Sequence, residues 1–163
     1  MLSLYEASIP SIIKNLEALS KFLRKGSNHP AVTHEQLLNS RLYPDMGNLI
    51  FQIQKVSDFS KNLAVRAGKL PPVVFEDNEK TMDDLQERIR KTINILQSVN
   101  EHDFIKEDEE MTVPIMGHPM KFTGKDFTLN FTIPNVYFHT TIAYGLLRKE
   151  GVDVGKGDFL GAN

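Results

Sequence analysis

The chain has 163 residues, 40% apolar and 25% charged, with no cysteine and a formal net charge of −2. That size and balance fit a single domain, residues 1–163, with a core of its own. They argue against nucleic acid or an anionic membrane as partner, and they exclude disulfides, thiolate metal sites and a cysteine nucleophile.

In chain order, Ser3 and Glu6 form an S-x-x-E capping box, which predicts a first helix over 4–25. Ile9, Ile12, Ile13, Leu16, Leu19 and Leu23 follow helical spacing. Pro10 either kinks this helix or begins its regular part, and Gly26 ends it. The same N-terminus lacks the basic start and compact apolar centre of a signal peptide, and no run of roughly 18 apolar residues occurs anywhere. A cytoplasmic location is the expectation. A short turn of helix is expected around His34–Leu38. Pro44 suits the first position of a second long helix over 44–67, with Leu49, Ile53, Val56, Leu63 and Ala67 as its spine and Asp45 in its first turn.

A third helix is expected over 80–100. Leu85, Ile89, Thr92, Leu96 and Val99 share one face, and Asp84, Glu87, Arg88 and Lys91 are read as mostly solvated. The acidic stretch EHDFIKEDEE reads as exposed linker. TVPIMGHPMKFTG reads as two short extended pieces around a turn at Gly117–His118, within an extended segment over 112–122. Pro134 opens a last helix over 134–150, capped by Gly151. Four stripes of matching length predict an all-α fold, an antiparallel four-helix bundle with a hairpin before the last helix. The tail GVDVGKGDFLGAN has the wrong spacing for a phosphate loop, so Phe159 and Leu160 are expected to dock on the bundle.

One feature breaks the apolar pattern. On a helical wheel, Asn135, Ile142, Ala143 and Leu146 all fall within about 60° of His139. A carboxamide and an imidazole one turn apart thus face the interior, where each needs a hydrogen-bond partner. Either they satisfy each other or a hydroxyl on a facing helix, or they form part of a site. On the second helix Gln52 lies about 60° from the spine centre and can reach the same interior. Phe138 reads as packing; Tyr137 and Tyr144 read as exposed aromatics.

The stretch PNVYFHTTIAYGLLRKEG resembles the last helix of the DinB/YfiT-like superfamily of four-helix-bundle proteins. Many members carry H-x-x-x-H there, then L-R-x-x-G, with a third histidine from the second helix; together these hold a divalent metal. Leu147-Arg148-Lys149-Glu150-Gly151 matches the helix end. Spacing back from Arg148, the resemblance places His139 on the second histidine and Asn135 on the first; the third falls within Ile50–Gln54, where Gln52 is chosen by its facing. Together with LYPDMGNLIFQIQKVSDFSKNL, the pattern resembles a branch found in bacteria and fungi that carries only a domain-of-unknown-function label. The resemblance implies a bundle fold and small-molecule chemistry, transfer or isomerisation, often with a low-molecular-weight thiol. It also implies dimers formed through helix faces.

Two carboxamides in place of two imidazoles make a poor site for zinc or nickel, so no metal ligand and no cofactor is assigned. His29, His34, His102 and His118 lie in expected loops. The favoured reading is a small-molecule transferase or isomerase. His139 and Asn135 are its catalytic candidates, and Gln52, Asn135 and His139 its ligand-binding residues. The alternatives are a metal-dependent transferase or hydrolase with an altered site, and a non-enzymatic homodimeric interaction protein.

Overall fold

The computed structural model describes residues 2–162. Ser3 starts α1 (Leu4–Ser27). Its hydroxyl accepts from the Glu6 amide at 3.1 Å, and Glu6 Oε2 accepts from the Ser3 amide at 2.7 Å. This box satisfies two donors that a helix start leaves orphaned, so the helix begins ahead of Pro10, which rides on its exposed side. There follow α2 (His34–Asn39), α3 (Leu49–Arg66) and α4 (Met82–Gln97), then β1 (Glu110–Ile115) paired antiparallel with β2 (His118–Thr123), then α5 (Ile133–Lys149) and the short α6 (Lys156–Phe159). The described chain is mostly helical with one two-stranded sheet.

The four long helices share a core. Both α1 and α3 pack on α4 and α5. Ile9, Ile12, Leu16, Leu19 and Leu23 of α1 meet the spine of α3, Leu85, Ile89 and Leu96 of α4, and Val136, Ala143, Leu146 and Leu147 of α5, all buried. Each leucine, isoleucine or valine among them contributes about 1.5–3 kcal/mol on burial. Among the described residues no helix is long and apolar enough to cross a membrane.

Several expectations need correction. α3 starts at Leu49, not Pro44, because Asn48 caps it: Oδ1 accepts from the Phe51 amide at 3.0 Å. A carboxamide cap satisfies an orphan donor that Pro44 cannot help, so Asp45 lies in an exposed turn before the helix. α4 spans a turn less than expected, bounded by a capping box of Thr81 and Asp84. The hairpin turns at Met116-Gly117, both with positive φ (50° and 82°), as a two-residue primed turn requires. Pro114 then faces Pro119, next to the Ile115–His118 pair that closes the turn. Neither proline has an N–H to offer a ladder, and a two-stranded sheet is all edge. The acidic linker is partly structured: Glu101–Asp103 form a 3₁₀ turn, and Phe104 and Ile105 are buried.

Two further differences bear on function. The segment Asp126–Thr132 is a π-helix that runs directly into α5. Pro134, near the start of α5, has no amide to give the preceding turn, and its ring crowds the carbonyl four residues back; the wider π turn is where the helical run accommodates it. Arg88, read as solvated, has a side chain only 1% exposed. Its guanidinium donates to Asp58 at 2.9 Å, Glu79 at 2.8 Å and Asp77 at 3.0 Å. It lies under the Phe75 ring and so ties residues 75–79 to α3 and α4. Burial works to raise Glu79, but hydrogen bonds from Gln54 and Arg88 outweigh it and hold the carboxyl below its ordinary range.

Candidate functional site

His139 is delivered by the stripe of α5 to the seam with α3, where it is half-buried. Its Nδ1 lies 2.8 Å from Gln52 Oε1. Gln52 is 2% exposed, and its amide nitrogen donates to the Gly47 carbonyl at 2.9 Å. That second bond settles the first. With the NH₂ committed to a carbonyl, the Gln52 oxygen faces the imidazole, so Nδ1 carries the proton and donates. The remaining nitrogen, Nε2, is then a bare lone pair, and it has no hydrogen-bond partner among the described residues.

Three rings surround the imidazole. Phe59 stacks on it at 5.8 Å with planes 17° apart. Phe51 and Phe138 meet it edge-on, at 6.1 and 5.1 Å. Phe138, expected to pack, is 54% exposed, and Phe51 is 39% exposed, so the two form an outer rim. Burial among these rings disfavours the charged ring, and the Lys55 ammonium adds to the effect, lowering His139 from 6.5 to about 4. At neutral pH the imidazole is uncharged. It is an acceptor at Nε2, with Lys55 lying 5.2 Å over the Phe51 ring as the nearby cation.

Asn135 does not pair with His139. Its amide donates to the Phe131 carbonyl of its own helix at 2.7 Å, which leaves the carboxamide oxygen and one N–H to act on anything else. Among the described residues, no hydroxyl of a facing helix bonds either side chain; Thr140, on α5 itself, donates to Asn15 of α1 at 2.8 Å. Tyr137 and Tyr144, read as exposed, are half-buried. Tyr137 bonds Ser11 at 2.8 Å, and Tyr144 packs edge-on against Phe22 and Phe159. Phe159 therefore docks as expected, whereas Leu160 is 51% exposed. His139, half-buried, is reached from the surface past the aromatic rim of Phe51 and Phe138.

The three-imidazole metal site that the resemblance implies is not matched by these donors. One imidazole nitrogen is available. The Gln52 oxygen accepts from Nδ1, and Asn135 has turned to its own backbone. His34, at the start of α2, contacts the Ser27 carbonyl, and His102 and His118 sit exposed in the 3₁₀ turn and β2. Among the described residues, no group of three or more His, Asp or Glu is placed to hold a metal ion.

The sequence reading missed Phe59 and Phe51. Phe59 follows Gln52 by seven residues, two helical turns, and so shares its face; that spacing was available as a signal. Phe51, in the first turn of α3, meets the ring edge-on.

Comparison with known proteins adds a family but no activity. Residues 4–160 match the model of a domain of unknown function, DUF1993. The crystal structure of a DinB family member protein from Shewanella denitrificans is similar, with a TM-score of 0.86 and 35% identity, over 98% of this chain and 93% of that one. No curated protein matches the chain.

Proposed function

The chain belongs to the DUF1993 domain family, and from that premise we propose that it is a small-molecule-binding protein on a DinB-type antiparallel four-helix bundle, with His139 as its polar centre. The ligand is an organic molecule with an apolar face and a hydroxyl or thiol. Its apolar face lies among Phe51, Phe59 and Phe138, and its O–H or S–H donates to Nε2. In a transfer or isomerisation step, the same nitrogen takes that proton as negative charge develops on the ligand oxygen or sulfur. Lys55 stabilises the charge, and the Asn135 oxygen orients a second donor. Gln52 touches no ligand; it holds the tautomer.

The observation that carries this reading is the Gln52 amide, whose bond to the Gly47 carbonyl leaves Nε2 as the acceptor. The test is a panel of small thiols and alcohols titrated into the protein while the His139 ring is followed by ¹⁵N NMR. A binder that moves the Nε2 resonance, and is lost in His139→Leu with the fold intact, is the expected result. Binding that persists in His139→Leu would falsify the reading.

A second reading, a dimer interface without catalysis, draws on the exposure of Phe51 and Phe138. Sedimentation of the wild type and of Phe138→Ser distinguishes it, because only a dimer through this rim dissociates in the variant.

A further inference from the structure

Between α3, β1 and the π-helix lies a small, partly open pocket of about 70 Å³, with the exposed residues Asn62 and Pro114 at its edge. Phe59, Phe127, Phe131 and Ile115 supply apolar walls, and Thr132 and Arg66 also line it. Thr132 is 1% exposed, and its hydroxyl has no hydrogen-bond partner among the described residues. A buried hydroxyl in that condition is rare in a folded protein and calls for an explanation. Arg66, half-buried as the last residue of α3, makes no ion pair or hydrogen bond with any described residue. The chain thus puts an uncommitted guanidinium and an uncommitted buried donor on one small cavity walled by aromatic rings.

Those parts match one class of ligand. Rings and an isoleucine take an alkyl chain; a guanidinium takes a carboxylate through charge-assisted bonds; a hydroxyl donates to one of its oxygens. Volume limits the rest. An engineered cavity of about 150 Å³ accepts benzene, so half that volume accepts a short chain rather than a ring. We propose that this cavity binds a short-chain monocarboxylate of about three to five carbons, its tail between Phe59, Phe127 and Phe131 and its carboxylate on Arg66 and Thr132. The site is separate from His139 and does not depend on the function assigned there. Phe59 nevertheless belongs to both, lining this cavity and stacking on the imidazole, so occupancy is readable at His139.

Two plainer accounts compete. An arginine at a helix C-terminus is favoured by the helix dipole alone, and solvent can satisfy a threonine hydroxyl. The experiment is titration of the full chain with butyrate, followed by calorimetry and by NMR of Thr132, Phe59 and His139. Butanol and inorganic phosphate serve as comparison ligands. Saturable one-to-one binding is expected, with shifts confined to those residues. Arg66→Met and Thr132→Val should each weaken it by about tenfold or more, while Thr132→Ser, which keeps the hydroxyl, should retain it even if the valine variant folds poorly. Absence of saturable binding overturns the proposal and leaves solvent as the occupant. Equal affinity for butanol, equal affinity for phosphate, or unchanged binding in Arg66→Met also overturns it, because each removes the carboxylate from the recognition.

Discussion

At the scale of single residues, the pairing of Gln52 with His139 makes the sharpest predictions. A ¹H–¹⁵N spectrum should show His139 as the Nδ1–H tautomer at pH 7, titrating near 4; an Nε2–H tautomer would contradict the Gln52 geometry. Because the folded value lies below the 6.5 of an ordinary histidine, the unfolded chain binds the proton first. Stabilisation from this residue is therefore complete above about pH 6.5 and is lost as the pH falls toward about 4. After discounting for the half-exposed ring, the loss is roughly 1–2 kcal/mol. Denaturant midpoints at several pH values, compared between wild type and His139→Leu, isolate it. His139→Ala should cost about 2 kcal/mol, since it removes a stacked ring and strands the buried Gln52 oxygen. Asn135→Ala, which removes only a bond to its own helix, should cost about 0.5 kcal/mol. Equal costs for the two would mean that the stripe, not the Gln52 pair, is what matters.

At the scale of elements, the Arg88 cluster is the strongest test. Arg88 and Glu79 are the buried pair of this cluster, Asp58 and Asp77 being partly exposed, and removing one partner of a buried pair costs about 3–5 kcal/mol. Arg88→Met is accordingly expected to destabilise by about 3 kcal/mol and to speed amide exchange through residues 75–79. Arg90→Met, which breaks an exposed pair with Glu87, should leave the midpoint where it is. In the hairpin, Gly117→Ala should cost about 1 kcal/mol, because a Cβ there meets no neighbour but must hold a φ of 82°. Elements whose apolar residues recur at helical spacing were legible from the sequence: the capping box set the start of α1, and every residue assigned to the α3 spine is buried. What was not legible depended on partners distant in sequence. Arg88 shares the stripe of Leu85, Ile89 and Thr92, yet its carboxylates come from residues 58, 77 and 79. The π-helix has no period of its own to read; it is a local response to a proline next to a packed helix.

At the scale of the whole molecule, a stripe shows which side chains face inward but not how they pair once inside. The wheel brought Gln52 and His139 to one interior. It did not show that Asn135 would turn to its own backbone, because carboxamides have several acceptors within reach and only packing chooses among them. A single available imidazole beside two carboxamides leads to a global expectation: protein purified without a histidine tag and dialysed should retain well under one equivalent of zinc, nickel or iron by elemental analysis, about what a single neutral imidazole can hold. Stoichiometric metal at His139 would reverse that conclusion. A practical opportunity also follows from the hairpin. Its tip residue Met116 is 95% exposed, and the chain contains no thiol. Met116→Cys would therefore create one uniquely addressable attachment point, and a fluorophore or spin label placed there would report, on single molecules, whether the strand pair rides still or swings against the helices.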